Sequence, residues 1–187
     1  MAQIEIVGNG PSRSLYVASG SDCCVCNVPQ LDIAYNYISI VDRKAIDYIN
    51  SKQLVFDKPI LTTPELHKLV KTTTAEPAFR EKLMNSAATA AFYFAQSYDE
   101  IWLYGCNALW ETDCSSHQDT LIPRTRRASN LHLRWRSNWE KVWATGKQFY
   151  IVCPENTETI DYGKNVVWKP TSKAGKEIHQ DTVSATT

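Results

Sequence analysis

"IEIVGNGPSR", residues 4 to 13, opens as a run of strand-forming residues and breaks abruptly into Gly8, Asn9, Gly10, Pro11 and Ser12. β-branched residues stopped by glycine give a short buried strand over residues 3–7. The loop behind it admits two readings. Gly8 and Gly10 permit positive φ and close approach of the backbone, Pro11 fixes the exit direction, and Ser12 supplies a hydroxyl. Successive amides in such a loop can hold a phosphate; the same residues also make a plain turn. The glycine fingerprint of dinucleotide folds is not completed, because Arg13 stands where its third glycine belongs, and no phosphate-loop lysine follows. NAD, FAD and ordinary ATP-hydrolase chemistry therefore lose ground.

Further strands are expected at "CCVCNV" (23–28), "YNYISIV" (35–41), "PILTT" (59–63), "IWLYG" (101–105) and "QFYIVCP" (148–154). Between them lie helical patterns. "RKAIDYINSK" carries Ala45, Ile46 and Ile49 along one side, and Thr63-Pro64-Glu65 starts a brief helix. Asn85 or Ser86 caps a helix with Ala87, Ala90, Ala91 and Phe94 on one face. The last long helix aligns Leu131, Trp135, Trp139, Val142 and Trp143, a stripe read as core, and stops at Gly146. Alternating strands and helices predict an α/β fold: a single Rossmann-like domain over residues 1–170, its mainly parallel sheet flanked by helices. The tail, 171–187, is polar and small and is expected to be mobile. Ligands of such sheets bind beyond the carboxyl ends of the strands, where strand order reverses. That rule nominates Gly8 to Ser12, Asn27, Asp42, and Gly105 to Asn107.

Composition excludes several classes. Twenty basic and twenty acidic residues balance, so global charge favours neither nucleic acid nor a membrane surface. No apolar run reaches the ~20 residues a bilayer requires, and no signal peptide is visible, so a cytoplasmic location is expected. Cys23, Cys24 and Cys26 cluster while Cys106, Cys114 and Cys153 scatter. Without a second cluster they read as reduced, buried thiols rather than a zinc site. In a strand, Cys24 and Cys26 share one face and Cys23 takes the other.

"IVGNGPS" resembles the first strand and loop of a superfamily that includes the Campylobacter-type bacterial sialyltransferases and the MptE-like 6-hydroxymethylpterin diphosphokinases. "CVCN" is similar to the second strand of that group, and "NSAATAAFYFAQSYDEIWLYGCN" (85–107) to its helix and following strand; "YIVCP" also fits. The resemblance implies a modified Rossmann-like fold that binds a nucleotide or nucleotide sugar. It places Gly8, Asn9, Gly10, Pro11 and Ser12 on phosphate, and Asn27, Asn85 and Ser86 on the nucleoside. Departures bear on chemistry more than on binding. Asn107 stands where the group has aspartate, Asn85-Ser86 replaces Ser-Gly, and "ALWETDCSSHQ" lacks the phosphate-holding tyrosines. A compact version of this kind fits a phage or mobile element, working in the host cytoplasm.

The resulting expectation is a glycosyl- or diphospho-transferase. His117, in a polar loop, is its candidate general base; His132 and His67 fit helix surfaces or edges, and His179 belongs to the tail. Asp42 suits a ribose hydroxyl, a metal or a helix cap. Arg124, Arg126 and Arg127 begin an arginine-rich stretch (123–136) that could lid a phosphate or neutralise leaving charge. A nucleoside triphosphate donor would bring Mg2+; no metal-ligand set is otherwise assigned. Two alternatives stand beside the transferase: a non-catalytic binder of nucleotides, and a nucleic-acid-binding accessory protein that uses the arginines.

Overall fold

The computed structural model describes residues 1–30, 33–124 and 127–172. Eight strands form one sheet: β1 Gln3–Val7, β2 Asp22–Cys26, β3 Tyr37–Ser39, β4 Ile60–Leu61, β5 Ala75–Glu76, β6 Glu100–Tyr104, β7 Gln148–Pro154 and β8 Val166–Thr171. Four helices accompany them among the described residues: α1 Arg43–Ser51, α2 Pro64–His67, α3 Ser86–Phe94 and α4 Leu131–Trp143. The spatial order is β5-β4-β3-β2-β1-β6-β7-β8, and every pairing is parallel. The chain thus builds outward from β1 to one edge, returns to β6 beside β1, and builds outward to the other. Strand order reverses between β1 and β6. That is the Rossmann-like α/β fold the sequence predicts.

Alternation along the strands separates two cores. Ile4, Ile6, Cys24, Cys26, Ile101, Leu103, Phe149 and Ile151 pack beneath α3 and α4. Val7, Cys23, Val25, Ile38, Tyr104 and Val152 form the opposite core with Ala45, Ile46 and Ile49 of α1. Cys24 and Cys26 do share one face and Cys23 takes the other; all six cysteines are buried and unbridged. Being covered on both faces, the central strands read as continuous apolar runs. Each fully buried Ile or Leu there contributes about 1.5–3 kcal/mol. No described helix is long and apolar enough to cross a membrane.

Two strands escape the sequence. β5 is only two residues long, too short for any period. β8 contains Pro170, which an edge strand tolerates because its outer side donates to no ladder. β8 reaches Thr171, so the domain boundary expected after residue 170 falls inside a strand. Residues 173–187, the rest of the expected tail, lie outside the described residues. The brief helix expected after Thr63 is a single turn, ending at His67.

Candidate functional site

A cavity of about 720 Å3 opens at the carboxyl ends of β1, β2, β3 and β6. It lies at the topological switch point, where open parallel sheets bind ligands. Of the residues nominated from sequence, Gly8, Asn9 and Gly10 line it together with Asn27 and Asp42. Asn85, Ser86, Asn107 and Arg124 line it as well. Pro11, Ser12, His117 and Arg127 do not, and Arg126 lies outside the described residues.

The loop Gly8–Ser12 closes on β6 instead of standing open. Gly8 N–H donates to Tyr104 O at 2.8 Å and Gly10 N–H to Gly105 O at 2.8 Å. Ser12 gives both its amide (2.9 Å) and its hydroxyl (2.6 Å) to Asn107 Oδ1. Those three amides are committed, so the expectation that they cradle a phosphate is corrected. The glycines serve close approach between the two loops: a Cβ on Gly10 would meet Asn107 Oδ1 at 2.5 Å, and one on Gly105, whose φ is +64°, would meet Gly8 O at 2.5 Å. Asn9 is equally engaged, with Nδ2 donating to Cys26 O (2.9 Å) and Oδ1 accepting from Arg13 (3.2 Å).

At Asn107 an amide does what a carboxylate could not. Its Nδ2 donates to Glu111 Oε1 at 3.0 Å, a bond that an ionised carboxylate could not make. Asn27, at φ +60°, terminates β2. Its Oδ1 accepts from Ser86 Oγ (2.8 Å), which accepts in turn from Val41 N–H (3.2 Å). This short chain ties the ends of β2 and β3 to the start of α3. Asp42 caps α1, its Oδ1 accepting from Lys44 N–H at 3.0 Å, and Asn85 caps α3 through Ala88 N–H at 2.7 Å. Both helices therefore turn their positive ends toward the cavity.

His117 is exposed and off the cavity wall. Burial and the nearby Arg13 lower its pKa, and its backbone N–H donates to Asn9 O at 2.8 Å. The residue expected as general base therefore stands away from the cavity that the other nominated residues line. Two of the arginines in this stretch face acids. Arg127 pairs with Asp119 and, at 3.3 Å, with Asp113. Arg124 Nε lies 3.2 Å from Asp119 Oδ1 without hydrogen-bond alignment, while Arg136 donates to the carbonyls of Ala108 (2.7 Å) and Glu111 (2.9 Å).

Several lining residues were not anticipated. Lys44 and Lys82 reach the cavity and make no ion pair among the described residues. Four basic side chains, Arg43 included, face only two acidic ones, Asp42 and Asp47. Trp139 and Trp143 stack in the core (ring centroids 4.9 Å apart), as the stripe predicts. Trp135, one turn earlier, is only half-buried and forms cavity wall, with the Arg124 guanidinium 5.9 Å from its ring centre. Gln118, buried in the 3-10 turn His117–Thr120, also lines the cavity. Its signal was the capping box Ser116-x-x-Asp119, which fixes that turn.

Comparisons of the chain with protein-family models, with curated proteins and with solved structures give no match.

Proposed function

We propose that the cavity binds a nucleotide or nucleotide sugar and serves a group transfer of the glycosyl or diphospho kind, as the resemblance to the sialyltransferase and MptE-like group implies. The observation that carries the reading is one cavity at the switch point lined by two lysines with no ion pair among the described residues and by the half-buried ring of Trp135. Its volume suits a ligand of nucleotide size. Lys44 and Lys82, helped by the N-terminal ends of α1 and α3, offer charge for phosphate oxygens. Trp135 offers a flat face for a base, and Asn27 and Asn85 offer amide groups for the nucleoside. Phosphate recognition thus moves from the Gly8–Ser12 amides to the side chains opposite them.

A second reading, capture without turnover, is favoured by one specific observation. Among the described residues no histidine lines the cavity, so transfer would need Asp42 or Asp47 as its base. Tryptophan fluorescence titration with CMP, CDP, UDP, ADP, ATP and GTP, with and without Mg2+, tests binding. Quenching that disappears in Trp135→Leu supports the reading, and no quenching by any of the six overturns it. Release of free nucleotide from the matching nucleotide sugar or triphosphate separates transfer from capture.

A further inference from the structure

Gln118 is 3 % exposed, yet it reaches the cavity wall. Its Oε1 accepts from Val28 N–H at 3.1 Å, across ninety residues of chain. A backbone N–H can only donate, so the atom facing Val28 must be the oxygen, which fixes the orientation of the amide. Nε2 is then turned the other way, and it has no acceptor among the described residues. Its two N–H groups are thus open donors on a side chain that Val28 otherwise holds in place. Asn85 repeats the arrangement on another wall. Its Oδ1 is held by Ala88 N–H at 2.7 Å, leaving its Nδ2 without a described partner.

We infer that Gln118 reads the ligand. Its side chain, polarised by Val28, presents only hydrogen-bond donors to the cavity and donates to an acceptor atom of the bound molecule. With Asn85 it makes the walls select for oxygen-rich, anionic ligands, so that phosphorylated nucleotides are preferred over their nucleosides. The inference rests on the nucleotide reading for the kind of ligand but not for the sign of the recognition. Neutral amides, together with Lys44 and Lys82, favour an anion without requiring a buried countercharge. An acceptor-poor or cationic ligand would leave the donors unmet.

Isosteric replacement isolates the effect. Gln118→Glu keeps an oxygen for Val28 N–H and turns the opposite atom from donor into a charged acceptor; Asn85→Asp does the same while retaining the α3 cap. Calorimetric titration of wild type and both variants uses three probes: a nucleoside diphosphate (CDP, UDP, ADP or GDP), its parent nucleoside, and inorganic tripolyphosphate. The expected result is diphosphate bound well above the nucleoside, with affinity falling about ten- to a hundredfold in Gln118→Glu. Gln118→Glu buries a carboxylate and should lower the melting temperature of the free protein, so each titration is run well below the variant's own melting temperature. Asn85→Asp, at a helix cap, should keep the wild-type melting temperature. Gln118→Met, which removes donors without adding charge, should fall between. If diphosphate binds and the variants bind it as wild type does, the donor role of Gln118 fails while the nucleotide reading stands. If only tripolyphosphate binds, and more weakly in Gln118→Glu, the donor wall stands and the nucleotide reading falls. If no probe binds wild type, both are overturned.

Discussion

Asn107 accepts two hydrogen bonds from Ser12 through one atom, Oδ1, at 2.9 Å from the amide and 2.6 Å from the hydroxyl. This contact joins the loop after β1 to the loop after β6, the two strands between which sheet order reverses. It explains why glycine, asparagine, proline and serine crowd together after the first strand. The glycines let the loops touch, and Ser12 locks them. The floor of the cavity is therefore a fastened junction, and ligand recognition falls to the side chains around it.

Replacing Asn107 by aspartate keeps the acceptor for Ser12 but sets a second carboxylate against Glu111. Destabilisation of about 1–3 kcal/mol is expected at pH 7, from a lost hydrogen bond and like-charge repulsion. Protonating either carboxylate relieves it, so the defect should shrink as pH falls to 4. Urea unfolding of wild type and Asn107→Asp at both pH values measures this. A pH-independent defect would show that Glu111 is not the reason for the asparagine.

Gly105→Ala should be costlier than its size suggests. The residue holds φ +64°, and its new Cβ would press on Gly8 O and on the Arg13 side chain. A loss of about 2 kcal/mol or more is expected. Gly146→Ala provides the control: φ there is +73°, with nothing within 4 Å of the added carbon, so it should lose only the conformational part. Equal losses in thermal or urea unfolding would argue against the close junction.

Arg124 and Arg127 should separate. Arg127 pairs with Asp113 and Asp119 and lies off the cavity wall, so Arg127→Ala should lower stability by about 1 kcal/mol or less and leave nucleotide affinity unchanged. Arg124→Ala, on the wall beside Trp135, should weaken binding several-fold. Paired measurements of melting temperature and affinity distinguish the two. Oligonucleotide binding with a steep salt dependence, lost in Arg127→Ala, would restore the nucleic-acid alternative.

Alkaline pH should expose the buried thiol of Cys23. Burial is the largest cause raising its pKa from 9.0 to about 11, the Tyr16 hydroxyl opposes that rise, and the Glu5 carboxylate adds to it. The folded-state pKa lies above the unfolded one, so the associated stability is fully present below pH 9 and is lost as pH rises through 11. The contribution is on the order of 2 kcal/mol. Unfolding free energies at pH 8 and pH 10.5 should converge between wild type and Cys23→Ala as pH rises. Parallel pH curves would mean that this thiol ionises as freely in the folded protein as in the unfolded chain.

The fold was legible because its decisive signals are local. QIEIV, EIWLY and QFYIVCP carry buried-strand patterns, and α1, α3 and α4 carry helical ones with caps at Asp42 and Asn85. From these the switch-point rule brings Asn27, Asp42 and Asn107 to one cavity with no further knowledge, while Asn85 is named only as a helix cap and by the resemblance. Whether the amides of Gly8, Gly10 and Ser12 face a ligand or the carbonyls of Tyr104 and Gly105 and the Asn107 side chain was not legible. That depends on partners some hundred residues away. Lys44, Lys82 and Gln118 sit in helical or polar stretches where surface residues look alike, and only the third dimension turns them inward. His117 stands off the cavity wall, and a loop histidine has no sequence signal for the side it faces.

The central claim, that this cavity is a nucleotide site built on Lys44, Lys82 and Trp135, is tested most directly by isothermal titration with CDP, UDP, ADP and GDP. Wild type would be compared with a Lys44→Ala, Lys82→Ala double variant. The predicted result is saturable binding of at least one diphosphate, weakened about tenfold or more in the double variant, with its melting temperature within a few degrees of wild type. Binding of equal strength in both proteins, or no heat from any of the four, would contradict it.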